Sequence, residues 1–177
     1  MKTMTKSDIT PIFTADMIDK RLNELAEILN EEYKDKELYI ICVLKGSVMF
    51  TVDLVKKLTM PLKIEFIRLS SYGSGTVSSG KVNAVDISLP DLNEKHVIVL
   101  EDIIDTGHTA QFLSSFINHN FKVASYKFIS LLDKKCRREV DIDPDIYGFE
   151  IDDKFLVGYG LDLDGNYRNL PFVGYIK

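Results

Sequence analysis

Val97-Ile98-Val99-Leu100-Glu101-Asp102-Ile103-Ile104-Asp105-Thr106-Gly107-His108-Thr109-Ala110 decides the reading of this chain. The first four residues are apolar and read as a buried strand. Two acids follow side by side, a third comes three residues later, and Thr106-Gly107-His108-Thr109 opens an apolar helix. In open α/β sheets a ligand sits beyond the carboxyl ends of the strands, so the turn 105–109 should line a site. Backbone N–H groups and threonine hydroxyls at a helix start suit a phosphate. Glu101 and Asp102 are poor partners for that phosphate and need another duty. Sugar hydroxyls, or a divalent metal carried by the ligand, would supply one. The pattern suggests a sugar-phosphate site. Taken alone, the stretch also admits a plainer account, with Asp105 capping the helix and the other acids solvated.

Working outward, strands and helices alternate. Residues 14–33 form an amphipathic helix, with Met17, Ile18, Leu22, Leu25, Ile28 and Leu29 at helical spacing and Thr14 as its cap. Residues 38–44 are almost continuously apolar, as a central parallel strand requires. Lys45-Gly46-Ser47 turns that strand into a helix over 48–58, and 62–69 is a second strand. Residues 70–81 hold three glycines and five serines with no apolar period, which predicts a mobile loop. An edge strand over 83–89 precedes the opening strand, a helix over 109–118 and a strand over 123–132. This alternation predicts an α/β fold, a central mostly parallel sheet flanked by helices. The tail differs. Residues 146–151, 155–160 and 172–176 are short β segments between acidic turns, too close together for further βαβ units. They predict a small hood lobe beside or above the sheet. The expected organisation is a single domain over 1–177, with a core over about 36–135 and a hood from about 136–177 plus the N-terminal segment.

The bulk composition narrows the partners. The 177 residues carry a formal charge of −5, which argues against a nucleic-acid surface. No apolar run approaches the ~20 residues of a membrane span, and residues 1–8 lack the apolar core of a signal peptide. The two cysteines, Cys42 and Cys136, read as free thiols, Cys42 buried in a strand, and fit a reducing cytoplasm. His96, His108 and His119 share no metal-ligand spacing.

The opening stretch resembles the phosphoribosyl pyrophosphate (PRPP) motif of type I phosphoribosyltransferases. The spelling Glu-Asp-Ile-Ile-Asp-Thr-Gly is similar to that of the hypoxanthine-guanine phosphoribosyltransferases in particular, and the match runs from the first strand to Arg168. The resemblance implies that Glu101 and Asp102 hold the ribose hydroxyls or a metal on the ligand. It implies that 105–109 (Asp105, Thr106, Gly107, His108, Thr109) bind the 5′-phosphate, with Asp105 facing purine N7 as general base. Joining a purine to ribose requires loss of a ring proton, which a carboxylate near N7 can accept. His108, where some relatives carry lysine, would offer a backbone N–H and leave its ring exposed.

The same resemblance extends to other segments. Leu44-Lys45-Gly46-Ser47 is similar to the pyrophosphate loop, where the Leu–Lys peptide is often cis; Ser47 stands where many relatives have glycine. Ser71-Tyr72 resembles the tip of a catalytic lid that keeps water from a reactive anomeric carbon. Lys134 matches the lysine that donates to purine O6, Phe155 the aromatic that stacks on the base, and Leu156 the residue whose backbone meets the base edge. Asp162 would ligate Mg²⁺ on pyrophosphate, and Arg168 would reach the pyrophosphate oxygens. Each of these residues, without the family, is an ordinary turn, surface or core residue.

Together these readings predict a Mg²⁺-dependent purine salvage enzyme. It would join PRPP to hypoxanthine or guanine and work as a homo-oligomer, dimer or tetramer. A non-catalytic PRPP or nucleotide sensor on the same fold is one alternative. A phosphoribosyltransferase for xanthine or a pyrimidine is another.

Overall fold

The computed structural model describes residues 9–71 and 82–176. Nine strands and three helices follow in the order β1 (Ile9–Phe13), α1 (Ala15–Glu32), β2 (Leu38–Leu44), α2 (Val48–Val55), β3 (Leu62–Ser71), β4 (Val82–Asp86), β5 (His96–Ile104), α3 (His108–Asn120), β6 (Ser125–Asp133), β7 (Ile146–Glu150), β8 (Leu156–Val157) and β9 (Val173–Ile176) among the described residues. The larger sheet has the order β4-β3-β2-β5-β6-β7. Five of its strands are parallel, and β4 closes one edge antiparallel to β3.

The apolar runs explain how the sheet is covered. Successive side chains of a strand point to opposite faces, so an unbroken apolar run buries both. Leu38 and Ile40 of β2 and Ile98 and Leu100 of β5 pack with Leu22, Leu25 and Leu29 of α1 and Phe50 and Leu54 of α2. Their neighbours Tyr39, Ile41, Val43, Val97 and Val99 pack on the other face with Ala110, Leu113 and Ile117 of α3. Thr14 caps α1 through Oγ1, which accepts from Met17 N at 3.3 Å. The Cys42 thiol is buried and free, and it lies 3.2 Å from Ser47 Oγ, which donates to Val43 O at 2.7 Å. That hydroxyl satisfies the strand end from within.

Two expectations are corrected. The segment at 146–151 does not belong to the small lobe: β7 continues the main sheet, parallel to β6, with Ile129 opposite Ile146. The crossover from β6 has no α-helix, only a 3-10 turn over Lys135–Arg137. Asp145 closes it, its backbone donating to Phe128 O and its carboxylate accepting from Phe128 N. Helix α2 stops at Val55 rather than 58, because Lys57 N and Leu58 N bond three residues back and Asn30 ties down Lys57 O and Thr59 N. The small sheet has the order β1-β9-β8 and draws on both ends of the chain. Its own core is Ile9, Val157 and Leu170. Among the described residues no helix is long and apolar enough to cross a membrane.

The strand order reverses between β2 and β5: from β2 the chain moves outward to β3, then returns to the other side of β2. Such a switch point leaves a crevice at the carboxyl ends of the two strands. Residues 45–47 and 105–107 follow those ends. The small sheet reaches the same place through Gly160, whose φ is +103°. A Cβ built there would lie 1.9 Å from Gly46 O. We expect Gly160→Ala to cost about 3 kcal/mol, combining left-handed strain with a backbone clash. Gly165→Ala, also at positive φ but with nothing within 4 Å of the added methyl, should cost only about 1 kcal/mol. Urea unfolding of both variants checks this; equal losses would refute the contact.

Candidate active site

At the end of β2 the Leu44–Lys45 peptide is cis, and Gly46 passes directly over the carboxylate of Asp102. A Cβ on Gly46 would fall 1.6 Å from Asp102 Oδ2. On its other side the Gly46 carbonyl meets Gly160. Arg168 Nη1 donates to Gly160 O at 2.6 Å, and its Nη2 pairs with Asp162 Oδ1 at 2.6 Å. Asp162 Oδ2 accepts from Gly165 N at 2.6 Å. Gly46, Asp102, Asp162 and Arg168 are therefore one cluster, although 122 positions (168 − 46) separate its ends.

Glu101 and Asp102 lie near the end of β5, both half-buried. Burial pushes the Glu101 carboxyl well above the usual range, and the neighbouring Asp102 charge adds to it. Glu101 Oε2 is buried without a hydrogen-bond partner. Burial pushes Asp102 up to about 6, against the opposing pull of the Ile103 and Asp102 backbone N–H groups and of Arg168. An unpaired buried carboxylate is costly and marks a place where function outweighs stability.

Beyond β5 the chain turns at Gly107, which precedes α3 with φ +91°. Glu101, Ile103, Ile104, Asp105, Thr106, Gly107 and Thr109 line a hollow of about 80 Å³ with Ala110 and Phe128. Thr109 and Ala110 of this lining lie in the first turn of α3, where free N–H groups favour an anion. The His108 ring is not left free, as the sequence suggested. Its Nε2 lies 2.9 Å from Glu139 Oε2, because residues 134–139 fold back beneath the turn and Glu139 N donates to Thr106 O.

Asp105 and Lys134 meet through two residues that sequence reasoning passed over. Arg137 Nε lies 3.4 Å from Asp105 Oδ1, and Arg137 Nη1 lies 3.5 Å from Asp153 Oδ1. Lys134 Nζ lies 3.5 Å from the same Asp153 oxygen and donates to Lys154 O at 2.8 Å. Lys134 is buried, whereas Phe155, next along the chain from Lys154, keeps 58% of its surface exposed. Leu156 is buried at the start of β8. Asp105 Oδ1 is buried and accepts no hydrogen bond. The basic run Lys134-Lys135-Cys136-Arg137-Arg138 at a strand end was the available signal for Arg137 and Arg138. Ser71 ends β3, with nothing described of its side chain, and Tyr72 lies outside the described residues.

The arrangement gives a helix N-terminus of the kind that can seat an anion, half-buried acids beside it, and an exposed aromatic that follows the residue bonded by a buried lysine. The phosphoribosyl transferase domain model matches residues 12–164. The chain is 40% identical over 175 residues to a hypoxanthine-guanine phosphoribosyltransferase of Bacillus subtilis, covering 98% of this chain and 97% of that one. It is 39% identical over 166 residues to the bifunctional protein TilS/HprT of Listeria monocytogenes, covering 94% of this chain but spanning only 26% of that longer protein. A crystal structure of a hypoxanthine phosphoribosyltransferase from Staphylococcus aureus superposes with a TM-score of 0.92 at 37% identity, covering 100% of this chain and 96% of that one. The chain belongs to the phosphoribosyltransferase family, on its hypoxanthine-guanine branch.

Proposed function

We propose that this chain is a Mg²⁺-dependent purine salvage enzyme. It transfers the 5-phosphoribosyl group from PRPP to N9 of hypoxanthine or guanine, giving IMP or GMP and pyrophosphate. The observation that carries the proposal is the junction at the ends of β5 and β6. There Arg137 and Asp153 link the unbonded Asp105 oxygen to Lys134, and Lys154 links Lys134 to the exposed Phe155 ring.

The base stacks on Phe155, whose ring is exposed. The Lys134 ammonium has three donors. Lys154 O and Asp153 engage it from one side, and a remaining donor meets O6, an acceptor that adenine lacks. The Leu156 backbone meets the base edge. Asp105 accepts the N7 proton as the new C–N bond forms, with Arg137 beside its Oδ1. The backbone of Thr106, Gly107, His108 and Thr109 holds the 5′-phosphate. Glu101 and Asp102 hold the ribose hydroxyls and offset the positive charge that grows at C1 as pyrophosphate leaves. Lys45, Gly46 and Arg168 line the pyrophosphate. Ser71 and Tyr72 enter on the sequence resemblance alone, as the lid.

Mg²⁺ fits this donor set. The carboxylates are hard oxygen ligands, and Glu101 has a buried oxygen with no hydrogen-bond partner. Among the described residues no three potential ligands cluster as a ready-made metal site. Asp162 with Glu101 or Asp102 would hold the ion when it is bound. When bound, it neutralises charge on the leaving group. The proposal includes a reducing cytoplasmic setting, which two free thiols fit. It also includes a homo-oligomer, the dimer or tetramer that the resemblance implies.

Incubation with PRPP, Mg²⁺ and each base in turn should release pyrophosphate with hypoxanthine or guanine and none with adenine. No release with any 6-oxopurine would favour a sensor instead, and release with xanthine first would move the substrate. Asp105→Asn should lower kcat by about 100-fold or more while PRPP still binds; unchanged turnover would remove Asp105 from the chemistry.

Asp102 gives a stability test. Its folded pKa is raised from 3.8 to about 6, so the native state favours the neutral acid and loses stability as pH climbs from about 4 through 6. A rise of that size corresponds to a loss on the order of 3 kcal/mol. Asp102→Asn, which mimics the neutral acid, should therefore raise Tm at pH 7.5 far more than at pH 4, while weakening PRPP binding. Equal Tm changes at the two pH values would contradict the burial cost.

A further inference from the structure

Beneath the Asp105 turn lies a residue to which no part in the reaction has yet been assigned. Arg138 is largely buried, with 11% of its side chain exposed. Its Nη1 donates to the backbone carbonyl of Asp105 at 2.6 Å. Its Nη2 pairs with Asp133 Oδ1, and Asp143 Oδ1 lies 3.7 Å from the same nitrogen. Its Cδ packs under Gly107, where an added Cβ would come within 2.9 Å. One planar guanidinium thus holds a carbonyl of the β5 turn and a buried carboxylate of the β6 end.

The two anchored groups matter because of what adjoins them. Asp133 immediately precedes Lys134, and it sits level with Ile104 on β5 and Glu150 on β7. Lys134 N donates to Ile104 O at 2.9 Å, which ties the strand ends together only as far as residue 104. The peptide that follows Asp105 sets both the direction of the Asp105 side chain and that of the Thr106 N–H. Arg138 fixes that peptide by its oxygen. A planar fork can hold a carbonyl and a carboxylate at one fixed angle, which a lysine cannot do. The buried Asp133 charge in turn keeps the fork from rotating, since leaving either partner alone would be strongly unfavourable.

We propose that Arg138 is a positioning residue that sets Asp105 in register with Lys134 for proton transfer from the base. The inference rests on the reading of Asp105 as the proton acceptor. The peptide that Arg138 holds also carries the Thr106 N–H, but Thr106 has a second support in Glu139 N, which donates to Thr106 O, so losing the fork should affect turnover more than PRPP binding.

A double-mutant cycle with Asp105→Asn tests this, using kcat with hypoxanthine and calorimetric affinity for Mg²⁺·PRPP without base. Arg138→Met keeps the stem and removes the fork. It should lower kcat about 10- to 100-fold, as loss of alignment does, with PRPP affinity within about threefold. In the Asp105→Asn background the same change should cost less than about twofold, because both variants remove one function. Equal losses in the two backgrounds, or a parallel loss of PRPP affinity, would overturn the proposal and leave Asp105 as the base. An Asp105→Asn variant of unchanged turnover would overturn both readings together. Should Arg138→Met fail to fold, Arg138→Lys takes its place: a smaller kcat loss that disappears in the Asp105→Asn background supports the role, and a loss equal in both overturns it.

Discussion

Two strand ends and a loop meet here across two glycines. The Gly46 backbone rests on the Asp102 carboxylate, and Gly160 rests on the Gly46 carbonyl. No residue larger than glycine fits either contact without displacing its neighbour. The rest of the site follows from this stack. It brings the end of β2, the end of β5 and the segment after β8 within reach of one ligand, and it places Arg168 and Asp162 on the outer side of the crevice. Tyr159 braces the same stack from behind, its hydroxyl donating to Asp53 Oδ2 of α2 at 2.9 Å. The helix that begins just after the Gly46 turn is thereby tied to the small sheet.

Electrostatics divides the crevice into two halves. Near β2 the acids are half-buried and resist ionisation, Glu101 most of all, with Arg168 as the cation near Asp102. Near β6 the acids are already matched: Asp105 by Arg137, Asp133 by Arg138, and Asp153 by both Lys134 and Arg137. In the first half one Glu101 oxygen is left without a partner, while Asp162 is held by Arg168 and Gly165 N and Asp102 accepts from Ile103 N; the proposed anionic ligand with its divalent ion would lie there. A neutral heterocycle suits the second, where charges already balance and an aromatic face stands open.

Much of this was legible in the sequence because it depends on local pattern. The apolar runs of β2 and β5 gave a doubly covered sheet, and Thr14 marked the start of α1. The acids and glycine of 101–107 gave the turn. What stayed illegible depends on contacts between distant segments. Residues 146–151 look like any short β segment, and only pairing with Ile129 and its neighbours places them in the main sheet. His108 looks exposed until Glu139 folds beneath it. Arg137 and Arg138 look like solvated bases in a turn; their partners Asp105, Asp133 and Asp153 are spread over 49 positions (153 − 105 + 1).

The open ring of Phe155 has an optical consequence. The chain contains no tryptophan, so its ultraviolet emission comes from eight tyrosines, of which Tyr33, Tyr39 and Tyr159 are buried. An indole placed at 155 would be the sole fluorophore of its kind in the molecule, set on the face where a heterocycle would stack. Its quenching would report occupancy of that half of the crevice alone, separately from anything bound at the anion seat.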